Sequence, residues 1–263
     1  MGDVPTSPDR VATLRRLHQG PEPLVLPNCW DAATAKVVVD AGFPVVATSS
    51  AAVAESLGWA DHEQAPADEM LAAAARIARA VDVPVTADVE SGYGLAADDL
   101  AARLVEASVA GFNLEDTDHT THALTDVDAQ VARLRALRAA FDGAGVPLVM
   151  NARVDSFVRS RDHAAVLDDG IARARAYVDA GADCVYPITL ADASMIERFV
   201  RALDPAPVNV LLTRAAPDVA TLRELGVRRV SLGGGMYRAA TRFVGDVASG
   251  LRTGDTSALF GPA

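Results

Sequence analysis

Lysine is almost missing from this chain of 263 residues: Lys36 is the only one, and the other basic side chains are arginines. A Schiff-base aldolase needs a lysine at a strand end, and Lys36 falls in a helical stretch, so that chemistry is excluded. Cysteine is scarce too. Cys29 and Cys184 have neither a CxxC pair nor a histidine cluster beside them, which argues against a disulfide framework and a structural zinc site and for a reducing cytoplasm. No apolar run approaches the ~20 residues of a membrane span, and the opening MGDVPTSPDR lacks the basic-then-apolar order of a signal peptide. Basic side chains are outnumbered 24 to 35 by acidic ones, for a formal charge of −11. A field of that sign repels phosphate backbones and anionic lipid, so neither nucleic acid nor a membrane surface is expected as a partner.

What the chain does contain is alternation. Short β-branched runs occur at residues 24–28, 44–50, 83–90, 111–116, 146–154, 184–188, 206–213 and 228–233. Between them lie Ala- and Arg-rich segments with apolar residues at i, i+3, i+4 spacing, such as EMLAAAARIARAV and DLAARLVEASVA. The strand runs are nearly continuous in apolar residues, as parallel strands covered on both faces should be. DAGFPVV, VAGFNLE, GAGVPLV, DAGADCV and ELGVRRV each place a glycine between a helix and the next strand, where a left-handed residue ends the helix. Eight such units without a Pro- or Ser-rich linker predict an α/β fold of one domain over residues 1–263, a (β/α)8 TIM-type barrel. DRVATLRRLHQ reads as an extra N-terminal helix and residues 251–263 as a C-terminal tail. Gly92, Gly94 and Ala97 also fit a dinucleotide-binding G-x-G-x-x-G/A. Asp88 and Glu90 directly precede those glycines, however, where they would repel a pyrophosphate, and the motif follows the third strand rather than the first.

In a barrel the chemistry sits at the carboxyl ends of the strands. There the second strand offers Thr48, Ser49 and Ser50, the third Asp88 and Glu90, the fourth Glu115 and Asp116, and the fifth Asn151, Arg153 and Asp155. Asp88 and Glu90 alternate along one strand and so share a side, with Glu115 on the neighbouring strand. Carboxylates crowded this way suit a hard divalent cation, Mg²⁺ with Mn²⁺ as the usual substitute, unless Arg153 and other arginines balance them in an ion-pair network. Arg153 suits a bidentate grip on a small anionic carboxylate or phosphonate substrate, or a structural pair with a rim acid. Ser49 and Ser50 are either helix N-cap residues or donors to an anion. Gly233, Gly234 and Gly235 lie where barrels often bind phosphate, or form a tight turn. His119 and His122 lack a third ligand and read as a solvated loop pair, while His18, His62 and His163 read as exposed helix or loop without a role.

These residues make the chain resemble the isocitrate lyase and phosphoenolpyruvate mutase superfamily over nearly the whole barrel. ADVESGYG (87–94) resembles that family's D-x-D-[ST]-G-[YF]-G strand, NLED (113–116) its I-E-D, and NARVDSF (151–157) its A-R-[TV]-[DE]-[AS]-[FL]. Residues 27–61 are similar to its first two units, including the serine after strand 2 and the downstream Asp61. The resemblance implies an enzyme that makes or breaks a bond beside an enolpyruvate carbon. It implies that Asp88, Glu90 and Glu115 hold Mg²⁺ directly or through water, with Asp61 supporting the metal's shell. Ser49 and the N–H groups of Ser50 and Ala51 would bind a substrate carboxylate, and Arg153 its other end. Glu90 stands where aspartate is commoner. A homodimer or homotetramer that exchanges a C-terminal helix is implied as well.

One loop departs from the family. DTDHTTHALTDVD, after strand 4, has neither the lysine and cysteine of the lyases' K-[KR]-C-G-H motif nor the lysine and asparagine of the phosphonomutases. What remains is chemistry in which the leaving fragment needs little acid or base help. The chain is therefore expected to be a Mg²⁺-dependent carbon–carbon lyase or decarboxylase of a small 2-oxo or 2-hydroxy di- or tricarboxylate. Decarboxylation of oxaloacetate comes first. Cleavage of a methylisocitrate-like substrate, with Tyr93, a loop histidine or water as acid, comes second. A phosphonopyruvate-type phosphonomutase and a chain that only binds metabolites are the alternatives.

Overall fold

The structure, a computed structural model, describes residues 7–260; residues 1–6 of the stretch read for a signal peptide and residues 261–263 of the tail lie outside them. Among the described residues no helix is long and apolar enough to cross a membrane.

All eight strand runs form parallel strands, shorter than the apolar runs that announced them. Strand β1 is broken at Pro27 into Leu24–Leu26 and Asn28–Cys29. The others are β2 (Val46–Thr48), β3 (Val85–Asp88), β4 (Gly111–Glu115), β5 (Val149–Val154), β6 (Cys184–Pro187), β7 (Asn209–Leu211) and β8 (Arg229–Ser231). The break is what closes the ring. Pro27 has no N–H to donate, so the first half of β1 pairs with β8, Leu24 opposite Arg229, and the second half with β2, Asn28 opposite Ala47. At the other seam β6 meets β7 through the single bridge Val185 to Val208. A closed ring leaves no strand-order reversal at which a dinucleotide would sit.

Helices cover the strands from outside. On β4 the two faces separate by alternation: Phe112, buried, packs at 5.4 Å between ring centroids on Phe141 of helix Val127–Gly143. Asn113 turns inward, where its Oδ1 accepts from Asn151 at 2.8 Å and from Arg229 at 2.9 Å. The glycine repeat holds with one exception. Gly42, Gly145, Gly181 and Gly226 have φ between 69° and 103°, but at the end of helix Ala97–Glu106 the left-handed residue is Ser108, φ 59°. Gly111 already belongs to β4; a Cβ there would lie 2.7 Å from the Val149 carbonyl oxygen. Close approach is what demands glycine at that position.

The N-terminal helix is Ser7–Leu17, and Arg10 donates to the Ala78 and Val81 carbonyls, both at 3.0 Å. His18, expected to be exposed, is 5% exposed. Its Nδ1–H donates to the Leu14 carbonyl at 2.8 Å and its Nε2 faces Arg229 of β8 at 3.5 Å. Burial and the Arg229 cation pull the His18 pKa from 6.5 down to about 4. A depressed histidine contributes stability that is complete above about pH 6.5 and is lost as pH falls toward 4. That window is worth roughly 3 kcal/mol. Chemical denaturation should therefore show the stability gap between wild type and His18→Gln narrowing by about that amount from pH 7 to pH 4; a constant gap refutes the linkage.

At the other end of the chain, Gly233 (φ 52°) turns into helix Gly235–Leu251, which Gly234 caps. This helix buries none of its own residues, and Phe243 and Val244 are 53% and 64% exposed. The described part of the tail includes a short helix, Ser257–Phe260.

Candidate active site

The rim is assembled from three loops and three strand ends. At β3, Asp88 Oδ2 accepts from the Ser50 N–H at 3.0 Å and the Ser50 hydroxyl at 2.9 Å. Ser49 caps helix Ser50–Leu57, its Oγ accepting from the Ala52 N–H. The Ser50 N–H assigned by resemblance to a substrate carboxylate is thus given to Asp88, and Ala51 begins the same helix one residue further on.

Glu90 is held by the loop after β2. Its Oε2 accepts from the Glu63 N–H at 2.6 Å, while the Glu63 carboxylate takes the Ser91 N–H (3.1 Å), the Ser91 hydroxyl (2.6 Å) and the Tyr93 N–H (2.7 Å). The two loops clamp each other. Four non-glycine residues in the clamp are left-handed: His62 (φ 68°), Glu63 (φ 56°), Glu90 (φ 51°) and Tyr93 (φ 57°). Strain of this kind collects where a site over-determines its backbone. Burial, with Asp61, Asp88 and Glu115 adding repulsion against the Glu63 hydrogen bond, pushes the Glu90 carboxyl up to about 8.

Glu115 and Arg153 lie opposite each other in the β4–β5 register and form an ion pair. Arg153 also holds Asp155 with two parallel bonds, Nε to Oδ1 at 2.6 Å and Nη2 to Oδ2 at 2.9 Å. So the rim-acid pairing is present, and a substrate would share a guanidinium already oriented by two carboxylates. Asp155 is anchored in turn, its N–H donating to Asp116 Oδ1 at 2.8 Å. Asp116 points away from the site: Oδ2 accepts from the Tyr177 hydroxyl at 2.6 Å and from Arg173 at 3.1 Å.

The histidines need correction. The His119 side chain is 7% exposed and lies 2.5 Å from Glu115 Oε1, so it is no solvated loop residue. Burial favours its neutral form, but the Glu115 hydrogen bond and nearby carboxylates outweigh this and raise its pKa. His62, exposed as expected, comes from the loop after β2 and faces it at 5.3 Å between ring centroids, tilted by 35°. With His122, Glu115, Arg153 and Asp155 these rings line a cavity of about 200 Å³. His62, Glu63 and His119 are the residues sequence reasoning missed; the only local signal was their nearness to Asp61 and Glu115. Tyr93 ends with a buried hydroxyl that has no hydrogen-bond partner among the described residues, and burial together with Glu90 and Asp88 raises its pKa well above 10.

Such a rim fits a divalent cation, because buried Glu90 and Glu115 carry raised pKa values and a cation relieves the repulsion among them. A closed barrel with acids and one arginine converging at the strand ends has its polar side chains where barrel enzymes carry out their chemistry. A family model described as phosphoenolpyruvate phosphomutase matches residues 14–252. An oxaloacetate decarboxylase of Chromohalobacter salexigens is 30% identical over 255 residues, 91% of this chain and 84% of that protein. A provisionally assigned phosphonomutase of Burkholderia cenocepacia J2315 has a solved structure with TM-score 0.87 and 42% identity, covering 91% of this chain and 99% of the other. The structure of a 2,3-dimethylmalate lyase, 26% identical, covers 96% of this chain and 88% of its own with TM-score 0.85. The chain belongs to the phosphoenolpyruvate mutase family, and is an enzyme of the isocitrate lyase/PEP mutase type.

Proposed function

We propose that the chain is a Mg²⁺- or Mn²⁺-dependent lyase that breaks the carbon–carbon bond next to the 2-oxo or 2-hydroxy carbon of a small di- or tricarboxylate, with oxaloacetate decarboxylation the leading case. The observation that carries this is Arg153, oriented by Glu115 and Asp155 beside the buried Glu90. When bound, the ion supplies Lewis-acid stabilisation for negative charge that develops on the 2-oxo oxygen as the bond breaks. Arg153 grips one carboxylate, and the Ser49 hydroxyl and Ala51 N–H receive another, the Ser50 donors being held by Asp88. Asp61 adds charge beside Glu90. In decarboxylation CO₂ leaves without a proton, which suits a loop without lysine or cysteine. A retro-aldol cleavage would use the protonated Tyr93 hydroxyl.

Incubation with Mg²⁺ and oxaloacetate, methylisocitrate or dimethylmalate, with pyruvate as the readout, tests the reading. Pyruvate should form from at least one of the first two and be lost in Asp88→Ala; turnover of none, or turnover indifferent to Asp88, overturns it. The 42%-identical phosphonomutase structure favours a second reading, phosphorus–carbon chemistry on a phosphonopyruvate-like substrate, for which an unchanged phosphorus NMR spectrum is decisive against. The exposed face of helix Gly235–Leu251 supports pairing with a second copy in a homodimer or homotetramer, and light scattering that reports a monomer removes that part.

A further inference from the structure

His62, Glu90 and His119 come from three different loops or strand ends, yet one ligand atom from each lies within 4.8 Å of the others. We propose that these three form a two-histidine, one-carboxylate centre that selects a borderline ion such as Mn²⁺, Fe²⁺, Co²⁺ or Zn²⁺ over Mg²⁺. The inference rests on the reading that this rim binds a divalent ion, and adds which residues choose it.

The donor set decides the preference. Mg²⁺ takes oxygen ligands in near-octahedral geometry and keeps several waters, whereas imidazole nitrogen suits later first-row ions. Two imidazoles beside one carboxylate, with further positions open, match the facial arrangement that binds such ions while leaving room for a chelating substrate. The neighbours hold the ligands in place. Glu115 Oε1, 2.5 Å from His119 Nε2, fixes that ring, and Glu115 is itself paired with Arg153. Glu90 Oε2 is 3.9 Å from the same nitrogen and is oriented by the Glu63 N–H. A carboxylate orients a metal-ligating histidine through the ring nitrogen that does not bind the ion, so with Nε2 donating to Glu115 it is Nδ1 that His119 would offer to the ion. His62 completes the trio from the loop after β2: its exposed ring faces the His119 ring at 5.3 Å between centroids, tilted by 35°, and makes no side-chain hydrogen bond among the described residues. His122 lines the same cavity but is outside the trio.

Metal binding can be read without turnover. The full chain, stripped with a chelator, is titrated with Co²⁺ by visible ligand-field absorption and with Mn²⁺ and Mg²⁺ by calorimetry. Co²⁺ and Mn²⁺ should bind at least about tenfold more tightly than Mg²⁺, and His62→Gln and His119→Gln should each weaken Co²⁺ binding by about tenfold or more and shift its spectrum. His122→Gln should leave both unchanged, and circular dichroism checks that each variant folds. Equal affinity for Mg²⁺ and Co²⁺, or a Co²⁺ spectrum indifferent to both His62→Gln and His119→Gln, overturns the assignment. So does a loss in His122→Gln as large as in the other two. Pyruvate formation with Mg²⁺ alongside an indifferent Co²⁺ spectrum would sink this centre and leave the lyase reading standing. Co²⁺ bound through both imidazoles without turnover would do the reverse.

Discussion

Arg153→Ala is expected to lose about 3–5 kcal/mol of unfolding free energy, because it leaves the buried Asp155 without a cation and the buried Glu115 with His119 alone. The side chains of Glu115 and Asp155 are 3% and 1% exposed, and Arg153 is the cation that touches both. The pair's net worth is far smaller than the cost of breaking it, since desolvation of the ions offsets most of their attraction. Arg153→Lys separates charge from geometry. It restores a cation but not the planar fork that holds Asp155 through two bonds, so it should recover part of the stability. Both variants should lose at least about a hundredfold in kcat/KM on whichever substrate the wild type turns over. Urea denaturation of the three proteins at pH 7 checks the first statement, and a loss below about 1 kcal/mol for Arg153→Ala would refute it.

Asp116→Ala is expected to cost about 2–4 kcal/mol and to reduce turnover without touching the cavity. Asp116 is fully buried and serves three donors: the Asp155 N–H, the Tyr177 hydroxyl and Arg173. Removing it leaves Arg173 with the Thr125 carbonyl, Tyr177 and the carboxylate of Asp169, which is 53% exposed and 3.3 Å from Nε, in place of a buried partner. It also releases the N–H that fixes Asp155, which in turn orients Arg153. Asp116→Asn keeps acceptor oxygen and shape, so it should fall between wild type and the alanine variant by thermal melt and by kcat. A stable, fully active Asp116→Ala would show that Asp155 is positioned by Arg153 and by Thr117, whose hydroxyl is 2.5 Å from it, without need of Asp116.

Glu115 and Asp116 show how far a motif reaches. Both were read as rim acids from NLED, yet consecutive residues on a strand point to opposite faces. Glu115 enters the site, and Asp116 turns toward helix His163–Asp179, where Arg173 and Tyr177 meet it. Whether a polar residue on the outer face is structural depends on a helix about 60 positions away, with separations of 57 and 61 to its partners. Arg229 is a similar case. It lies in a run read as an apolar strand, but it is fully buried and donates to Asn113 and Thr86 inside the barrel.

The sequence alone determined the strand count, the order of strand and helix, and the acids at the strand ends, because apolar period, helix-ending glycines and residue alternation are local properties. It also located Asp88, Glu90, Glu115 and Arg153, through motifs shared with a family. Only the tertiary structure decided which histidines reach the rim. His62 and His119 belong to loops with no periodic signal, and they meet only because β2, β3 and β4 are neighbours in a closed ring. His18 was misjudged for the same reason, since the arginine that faces it is 211 residues away. Contacts of that range depend on how the barrel closes, and closure is a property of the whole chain rather than of any segment.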